Sequence, residues 1–207
     1  REGIGQHINS TSQSLFLDLP GSGLLDTRTV KSSSAKKPAS LEALRSARAT
    51  LTDMLTRYDQ AASRAAAQVM GQYSTSFSLA TRLLRGRVRA DIRHLYAVVR
   101  IADELVDGAA AQAHTDPAAA LDAYEQTILA APQRRLHTDP IVHAYAITAR
   151  RCGFHREYLA AFFNSMRADL TQREYSPSEL QDYIYGSAEV IGLLCLQIFL
   201  AEEDVSP

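Results

Sequence analysis

Cysteine and surplus charge are both scarce in this sequence. Its 207 residues include two cysteines, Cys152 and Cys195, which form no CxxC or Cys/His metal-ligand spacing. Buried, reduced thiols are therefore expected, as in a cytoplasmic protein rather than a disulfide-stabilised secreted one. Lys and Arg number 22 against 23 Asp and Glu, giving a net charge of -1. This balance excludes the overall basic charge that is typical of proteins binding nucleic acid.

Long apolar runs are also lacking. The most apolar run, Val190 to Ala201, holds about 12 residues and includes Gln197, whereas a helix needs about 20 apolar residues to cross a bilayer. This run is predicted to be a core helix. No N-terminal segment combines a basic start, an apolar stretch and a small-residue cleavage site, so no secretory signal is expected.

The first 40 residues differ in composition from the rest. They are rich in Ser, Thr and Gly, lack a sustained period, and contain the sequence KSSSAKKP near their end. Such a composition buries too little apolar surface to offset the entropy lost on ordering. We predict a flexible leader over residues 1–40 and one helical domain over residues 41–207.

Helical periodicity dominates the remaining sequence. Apolar residues from Leu41 onward recur at three- and four-residue steps, and no segment alternates as a strand bounded by hairpin turns would. The fold class is therefore predicted to be all-α. Several helix boundaries are marked by capping or stop residues: Gly108 after a long helix from about Val88 to Asp107, Asp139-Pro140 before a helix that Gly153 ends, and a Ser176–Glu179 capping box before a helix of about 25 residues.

The helix ending near Asp107 carries a narrow polar stripe. With Tyr96 placed at zero and about 100° per residue, Arg100 falls near 40°, Asp103 near -20° and Asp107 near 20°. Much of the remaining circumference is apolar, so the stripe is predicted to lie inside the helix bundle. Two carboxylates one turn apart repel each other, and burial raises that cost, so a compensating cation is expected.

Two kinds of cation can compensate this stripe. Arg100 can pair with one carboxylate, whereas Mg²⁺ can bridge both and prefers one or two carboxylates together with phosphate oxygens and water. The stripe would then be a diphosphate-binding site. A solvated helix face is the alternative, because D-x-x-x-D spacing alone is common. Glu104 either reaches the metal or faces solvent.

Three ordered stretches resemble a known family. They are Tyr73-Ser-Thr-Ser-Phe77, then Leu95-Tyr96 with Arg100 and Asp103-Glu-Leu-Val-Asp107, and later Ser165-Met-Arg-Ala-Asp-Leu170 with Tyr183-Ile-Tyr-Gly-Ser-Ala-Glu-Val-Ile-Gly192. Together they resemble the squalene/phytoene synthase family, most closely its bacterial phytoene synthases, over about residues 61–201. The resemblance implies an isoprenoid-synthase-type helical bundle around a central cavity. It also implies Mg²⁺-dependent, head-to-head condensation of two geranylgeranyl diphosphates to phytoene through a cyclopropylcarbinyl diphosphate.

The resemblance further implies roles for individual residues. Asp103 and Asp107 would bind Mg²⁺, or Mn²⁺ in its place, together with a substrate diphosphate, and Glu104 is a third candidate ligand. Additional substrate contacts are implied for Arg100 and Tyr96 on the same helix, for Ser74, Ser76 and Phe77 in the preceding turn, and for Tyr183, Arg167 and Asp169 in the middle segment.

One family feature does not occur in these 207 residues. The family carries a second aspartate-rich helix, roughly N-x-x-R-D-x-x-E-D, and the sequence reaches Pro207 before any such motif. The resemblance therefore implies a bundle that is incomplete at its C-terminus. A fragment of this kind is expected to be inactive alone.

Other functions remain as alternatives. A squalene or dehydrosqualene synthase would use farnesyl diphosphate, and reductive squalene formation would also need a nicotinamide cofactor. A non-catalytic relative would keep the bundle for binding or assembly, but it would be expected to lose its acidic pair. A di-iron carboxylate protein would need Glu-x-x-His pairs, which the sequence lacks.

A basic cluster immediately precedes the acidic helix. It either attracts diphosphates or anionic lipid head groups, the latter giving a peripheral membrane contact, or it forms a solvated turn and helix start. Its members are Arg82, Arg85, Arg87, Arg89 and Arg93. The expected location is therefore the cytoplasm, with membrane association as an open alternative.

Overall fold

The computed structural model describes residues 41–171 and 174–203. Within these ranges the chain forms helices joined by short turns and contains no strand, which confirms the all-α prediction. The predicted leader over residues 1–40 lies outside the described residues. The helices are α1 Leu41–Tyr73, α2 Thr75–Ala80, α3 Gly86–Asp107, α4 Ala109–Gln112, α5 Pro117–Ala130, α6 Pro140–Cys152, α7 Arg156–Thr171, α8 Pro177–Ile184 and α9 Val190–Glu203.

Local capping fixes the ends of several helices where the sequence predicted them. The Asp139 carboxylate accepts hydrogen bonds from the backbone N–H groups of Ile141, at 2.7 Å, and Val142, at 3.1 Å, and so opens α6. Gly153 ends that helix in the left-handed conformation, with φ of 62°. Gly108 ends α3 with φ of 128°, a value that residues with a side chain rarely adopt.

A predicted capping box opens α8, but the helix that follows is not regular. Ser176 Oγ accepts from the Glu179 backbone N–H at 3.4 Å, and Glu179 Oε2 accepts from the Ser176 N–H at 2.8 Å. The chain then passes from α8 into α9 through a π-helical turn over Tyr185–Glu189. Helical periodicity in the sequence did not predict this turn.

Close packing of Gly186 on α7 accounts for the position of the π-helical turn. A Cβ atom at this position would overlap Ser165 Oγ and the carbonyl oxygen of Ala161. The Ser165 hydroxyl also donates to the Tyr183 carbonyl oxygen at 3.1 Å. The backbone of the π-helical turn therefore lies directly against α7, and only glycine fits there.

Gly186→Ala is expected to destabilise the fold by about 2 kcal/mol, because the added methyl group overpacks the contact with α7. Gly71→Ala is the matched control, since a Cβ there meets no atom within 4 Å. In α1 that change should leave the free energy of unfolding equal or higher by about 0.5 kcal/mol. Urea denaturation followed by circular dichroism measures both variants, and equal stabilities would contradict the packing argument.

Helix α3 is the central element of the bundle. Helices α1, α5, α6, α7 and α9 all pack against it. Its buried residues Leu95, Ala97, Val98 and Ala102 are at most 2% exposed. The largest fully buried side chains around it come from α6 and α7, namely Tyr145, Phe162 and Phe163. A position on α3 is therefore supported on several sides, which suits a site that needs fixed geometry.

The helix predicted for the core over Val190–Ala201 is buried on one face. Val190, Leu194 and Ile198 are fully buried, whereas Leu196, Phe199 and Leu200 are 43% to 51% exposed. With α8 and the π-helical turn, the continuous helix over Pro177–Glu202 is long and apolar enough to cross a membrane by length and composition alone. Its buried face packs against α7.

A buried polar network joins α1, α3 and α6, and Arg151 extends it to α9 by donating through Nη1 to the Ala201 carbonyl oxygen at 3.3 Å. The Asp91 carboxylate accepts from the Thr148 hydroxyl and from Arg151 Nη2, the latter at 2.5 Å. The ring nitrogens of His94 lie 2.8 Å from Thr148 Oγ1 and 2.9 Å from Ser63 Oγ. Burial lowers the pKa of His94 to about 4, so its ring is neutral. The network is thus built around one charged pair, Asp91 and Arg151.

Both cysteines are free and half-buried, so the prediction of buried, reduced thiols holds only in part. Burial raises the pKa of Cys152 to about 11 and also raises the pKa of Cys195. Both thiols are therefore protonated at neutral pH, which makes them poor nucleophiles and poor metal ligands. They take no part in the site described below.

Candidate functional site

The polar stripe lies in the C-terminal half of α3, at the edge of the bundle. Arg100 pairs with Glu104 through Nη2, and its Nη1 lies 3.9 Å from Asp103 Oδ2. The side chains of Arg100 and Glu104 are each 27% exposed, and that of Asp103 is 32% exposed. Asp107 is exposed. The prediction that the whole stripe lies inside the bundle is therefore wrong for Asp107, which is the last residue of α3 before the cap at Gly108.

The Tyr73–Phe77 turn contacts the stripe from α1 and α2. Ser74 caps α2, and its Oγ accepts from the Phe77 backbone N–H at 3.2 Å. The Phe77 ring lies 5.8 Å from the Tyr96 ring, centroid to centroid. The guanidinium of Arg100 lies 4.5 Å from the centroid of the Tyr73 ring. Ser76 is exposed. The structure thus places Phe77 beside Tyr96 and Tyr73 beside Arg100, whereas the roles of Ser74 and Ser76 in substrate binding stay predictions.

A fourth carboxylate, that of Asp169 on α7, lies near the stripe. The Tyr183 hydroxyl donates to Asp169 Oδ2 at 3.2 Å, and the centroid of the Tyr183 ring lies 5.1 Å from that of Tyr175, with the rings tilted by 46°. Burial and the Asp169 carboxylate raise the pKa of Tyr183 to about 12, so the hydroxyl remains a hydrogen-bond donor at neutral pH. The negative charge of Asp169 in turn raises the pKa of Asp103. The structure therefore brings Asp169 and Tyr183 to the same side of the bundle as Asp103.

Arg167 is engaged elsewhere. Its guanidinium donates to Asp122 Oδ1 at 2.8 Å and to Glu125, both on α5, and to Asn164 Oδ1 at 3.1 Å. These contacts raise the pKa of Arg167, chiefly through the hydrogen bond with Glu125. The structure does not bring Arg167 together with the α3 carboxylates, and its role in substrate binding stays a prediction.

The basic cluster spans the turn before α3 and the start of that helix, and Arg89 closes the turn. Arg89 donates through Nε to the Leu84 carbonyl oxygen at 2.9 Å and through Nη2 to that of Arg82 at 2.8 Å. Burial and the neighbouring charges of Arg89 and Arg82 lower the pKa of Arg93. This arrangement fits the alternative of a turn and helix start, since part of the positive charge binds the chain's own carbonyl groups.

Negative charge accumulates around Asp103. Burial raises the pKa of Asp103 to about 6; Arg100 opposes this rise, and Asp107, Asp169 and Glu104 add to it. A divalent cation would relieve that excess charge, and oxygen donors are those Mg²⁺ prefers. Among the residues that the structure describes, no three acidic, His or Cys side chains are close enough to hold a metal ion. Asp103 and Asp107 offer two carboxylates one turn apart on α3, a partial ligand set to which phosphate oxygens and water would have to be added for Mg²⁺.

Asp103 is expected to titrate near pH 6 in the metal-free chain, measured by the carboxyl carbon shift in NMR. Because its folded-state pKa exceeds the reference value of 3.8, the folded chain binds more protons between these pH values. Stability should therefore fall as pH rises through that window, and Asp103→Asn should remove this contribution. Addition of Mg²⁺ should lower the apparent pKa. Titration near pH 4 would contradict the electrostatic description.

The sequence assigned no role to Tyr73 or Tyr175, although both lie beside predicted site residues. Tyr73 opens the Tyr73–Phe77 motif, so its position was visible, but its contact with Arg100 joins two different helices. Tyr175 precedes the α8 capping box, and its ring packs against that of Tyr183 in a tilted arrangement. Spacing within one helix gives no signal for contacts of this kind.

Comparison with known proteins supports one family. A family model described as "Squalene/phytoene synthase" matches residues 70–206. The chain is 29% identical over 142 residues to the 15-cis-phytoene synthase of Paracoccus sp. (strain N81106 / MBIC 01143), a match covering 66% of this chain and 47% of that protein. All the residues of the α3 stripe, and Tyr73, lie within the family match.

Solved structures share the fold. Squalene synthase HpnC from Alicyclobacillus acidocaldarius superposes with a TM-score of 0.63 at 26% identity, covering 69% of this chain and 53% of that one. A dehydrosqualene synthase in complex with a ligand superposes with a TM-score of 0.60 at 22% identity, covering 70% of this chain and 49% of that one. The chain thus spans about half the length of the relatives it matches.

Proposed function

This chain belongs to the squalene/phytoene synthase family, and we propose that it forms the part of a prenyltransferase that binds Mg²⁺ and a prenyl diphosphate. One observation carries the proposal. Asp103 and Asp107 lie one turn apart on α3, and the guanidinium of Arg100 lies beside Asp103. Surplus negative charge next to a fixed arginine suits a cation and a phosphate group together.

The residues have distinct tasks in this proposal. Asp103 and Asp107 would hold Mg²⁺, which supplies Lewis-acid neutralisation of a diphosphate leaving group. Arg100 would donate to the diphosphate oxygens, and Glu104 keeps the guanidinium oriented through their ion pair. Tyr96 would contact the phosphate from the same face of α3. No covalent nucleophile from the protein is needed, because the charge that develops on the leaving group is neutralised in place.

The proposed reaction proceeds in two stages. In the first, the bond between C1 and the diphosphate oxygen of one substrate breaks, and the electron pair leaves with diphosphate. The allylic cation adds to a double bond of the second substrate, and loss of a proton gives a cyclopropylcarbinyl diphosphate. In the second stage this intermediate loses its diphosphate with the bonding electron pair, the resulting cation rearranges, and loss of a second proton gives the neutral hydrocarbon phytoene. Aromatic faces such as those of Phe77, Tyr96 and Tyr183 can each stabilise a cation by about 0.5 to 2 kcal/mol.

Geranylgeranyl diphosphate is the proposed substrate, and phytoene the product. The supporting observation is the similarity to the Paracoccus 15-cis-phytoene synthase. Farnesyl diphosphate is the second candidate, supported by the structural likeness to the squalene synthase HpnC. The two substrates share the diphosphate and differ in the length of the apolar chain, so the α3 stripe would serve either one.

The test is a product analysis of the complete gene product that contains these 207 residues. The protein is incubated with Mg²⁺ and either geranylgeranyl or farnesyl diphosphate, with and without NADPH, and the extract is analysed by chromatography and mass spectrometry. Phytoene from the longer substrate is expected, and EDTA should abolish it. A C30 hydrocarbon would instead establish the farnesyl alternative. No product from either substrate would reject the synthase proposal and favour a bundle used for binding.

A further inference from the structure

Arg100 is held by a contact that its own helix does not provide. Its guanidinium carbon lies 4.5 Å from the centroid of the Tyr73 ring, at the C-terminal end of α1. A cationic guanidinium over the face of a tyrosine at this distance is attracted by the ring quadrupole. The contact therefore connects the end of α1 to the charged stripe on α3.

The polar contacts of the Arg100 guanidinium involve its two terminal nitrogens and not Nε. Nη2 donates to Glu104 and Nη1 lies 3.9 Å from Asp103. Nε is buried and has no hydrogen-bond partner among the described residues. The charged group is thus fixed along α3 by its terminal nitrogens and covered by the tyrosine face. Rotation away from Asp103 would lose the cation–π contact as well as the ion pair.

Ordinary core packing does not explain the position of Tyr73. Its side chain is 50% exposed, so it contributes little buried apolar surface. The contact uses the face of the ring rather than the hydroxyl group. Phenylalanine should therefore replace this tyrosine, whereas an aliphatic residue of similar bulk should not.

We propose that Tyr73 is a positioning residue whose ring fixes the guanidinium of Arg100 beside Asp103, ready to receive the oxygens of a diphosphate. The positioning itself depends only on the packing of α1 against α3. The inference that this position of Arg100 increases the affinity for diphosphate rests on the proposed function. Two measurements separate these parts.

The first measurement concerns positioning alone. In the ¹⁵N-labelled 207-residue chain, the Nε–Hε resonance of Arg100 should carry a ring-current shift from Tyr73. Tyr73→Phe should retain that shift and Tyr73→Leu should remove it. Tyr185→Leu, at another exposed tyrosine (41% exposed), is the matched control and should change nothing. An Arg100 resonance that is the same in wild type and Tyr73→Leu would overturn the positioning role.

The second measurement concerns affinity. Isothermal titration of the same chain with inorganic pyrophosphate in the presence of Mg²⁺ should give a dissociation constant about fivefold higher for Tyr73→Leu than for wild type. Tyr73→Phe and Tyr185→Leu should remain within about twofold of wild type. Thermal melts of all four proteins show whether the fold is intact.

These measurements distinguish a failure of the inference about Tyr73 from a failure of the proposed diphosphate site. If wild type binds pyrophosphate and Tyr73→Leu binds it equally well, the inference about Tyr73 is wrong and the proposed function survives. If wild type binds no pyrophosphate, the diphosphate site itself is wrong, and the NMR comparison still decides whether Tyr73 positions Arg100. If Tyr73→Phe weakens binding as much as Tyr73→Leu, the hydroxyl rather than the ring matters, which also contradicts the inference.

Discussion

Asp103→Asn should lower the rate of hydrocarbon formation by the complete gene product by about 100- to 1,000-fold, the scale seen when a group that stabilises transition-state charge is removed. The amide keeps the size of the side chain but cannot neutralise Mg²⁺. Asp107→Asn should have an effect of the same kind. Steady-state assays with geranylgeranyl diphosphate and Mg²⁺ measure the change.

Asp53→Asn is the matched control for this carboxylate loss. Asp53 pairs with Arg57 on α1, and its side chain is 68% exposed. The same chemical change there should leave the rate unchanged. A rate for Asp103→Asn within a few-fold of the Asp53→Asn rate would show that the α3 stripe takes no part in the chemistry.

Asp91→Ala should destabilise the fold by about 3 kcal/mol, the largest stability effect that we expect from a single substitution. Asp91 is 3% exposed and lies 2.5 Å from Arg151, whose side chain is 16% exposed. Loss of the carboxylate leaves a largely buried arginine charge without its partner, and it also removes the acceptor for Thr148.

The exposed pair on α1 supplies the comparison for stability. Asp53→Ala breaks an ion pair in water, which is expected to cost at most about 0.5 kcal/mol. Urea denaturation at pH 7 measures both variants. Similar free energies of unfolding for Asp91→Ala and Asp53→Ala would mean that the buried network does not hold α3, α6 and α9 together.

Features that depend on nearby residues in the chain were predictable from the sequence. The caps at Asp139 and Ser176 and the stop at Gly153 each involve atoms within a few residues, and all three are confirmed. The stripe on α3 follows from helical periodicity alone, because its members lie three or four residues apart. Recognition of the family added the expectation of the fold, which the superpositions confirm.

Features that depend on contacts between helices were not predictable in this way. The π-helical turn at Gly186 reflects contact with Ser165 and Ala161 on α7. The exposure of Asp107 depends on which neighbouring elements cover the last turn of α3, which periodicity does not give. The family resemblance implied a substrate contact for Arg167, but the partners that its guanidinium has on α5 are set by tertiary packing.

The most direct test of the central claim is a paramagnetic NMR experiment on the 207-residue chain with inorganic pyrophosphate. Substoichiometric Mn²⁺, which occupies oxygen-rich Mg²⁺ sites, broadens nuclei close to the bound ion. We predict broadening of residues around Asp103 and Asp107, with weaker effects near Asp169, and its loss in Asp103→Asn. Broadening centred elsewhere, or unchanged in Asp103→Asn, would contradict the assignment of the α3 stripe as the metal–diphosphate site.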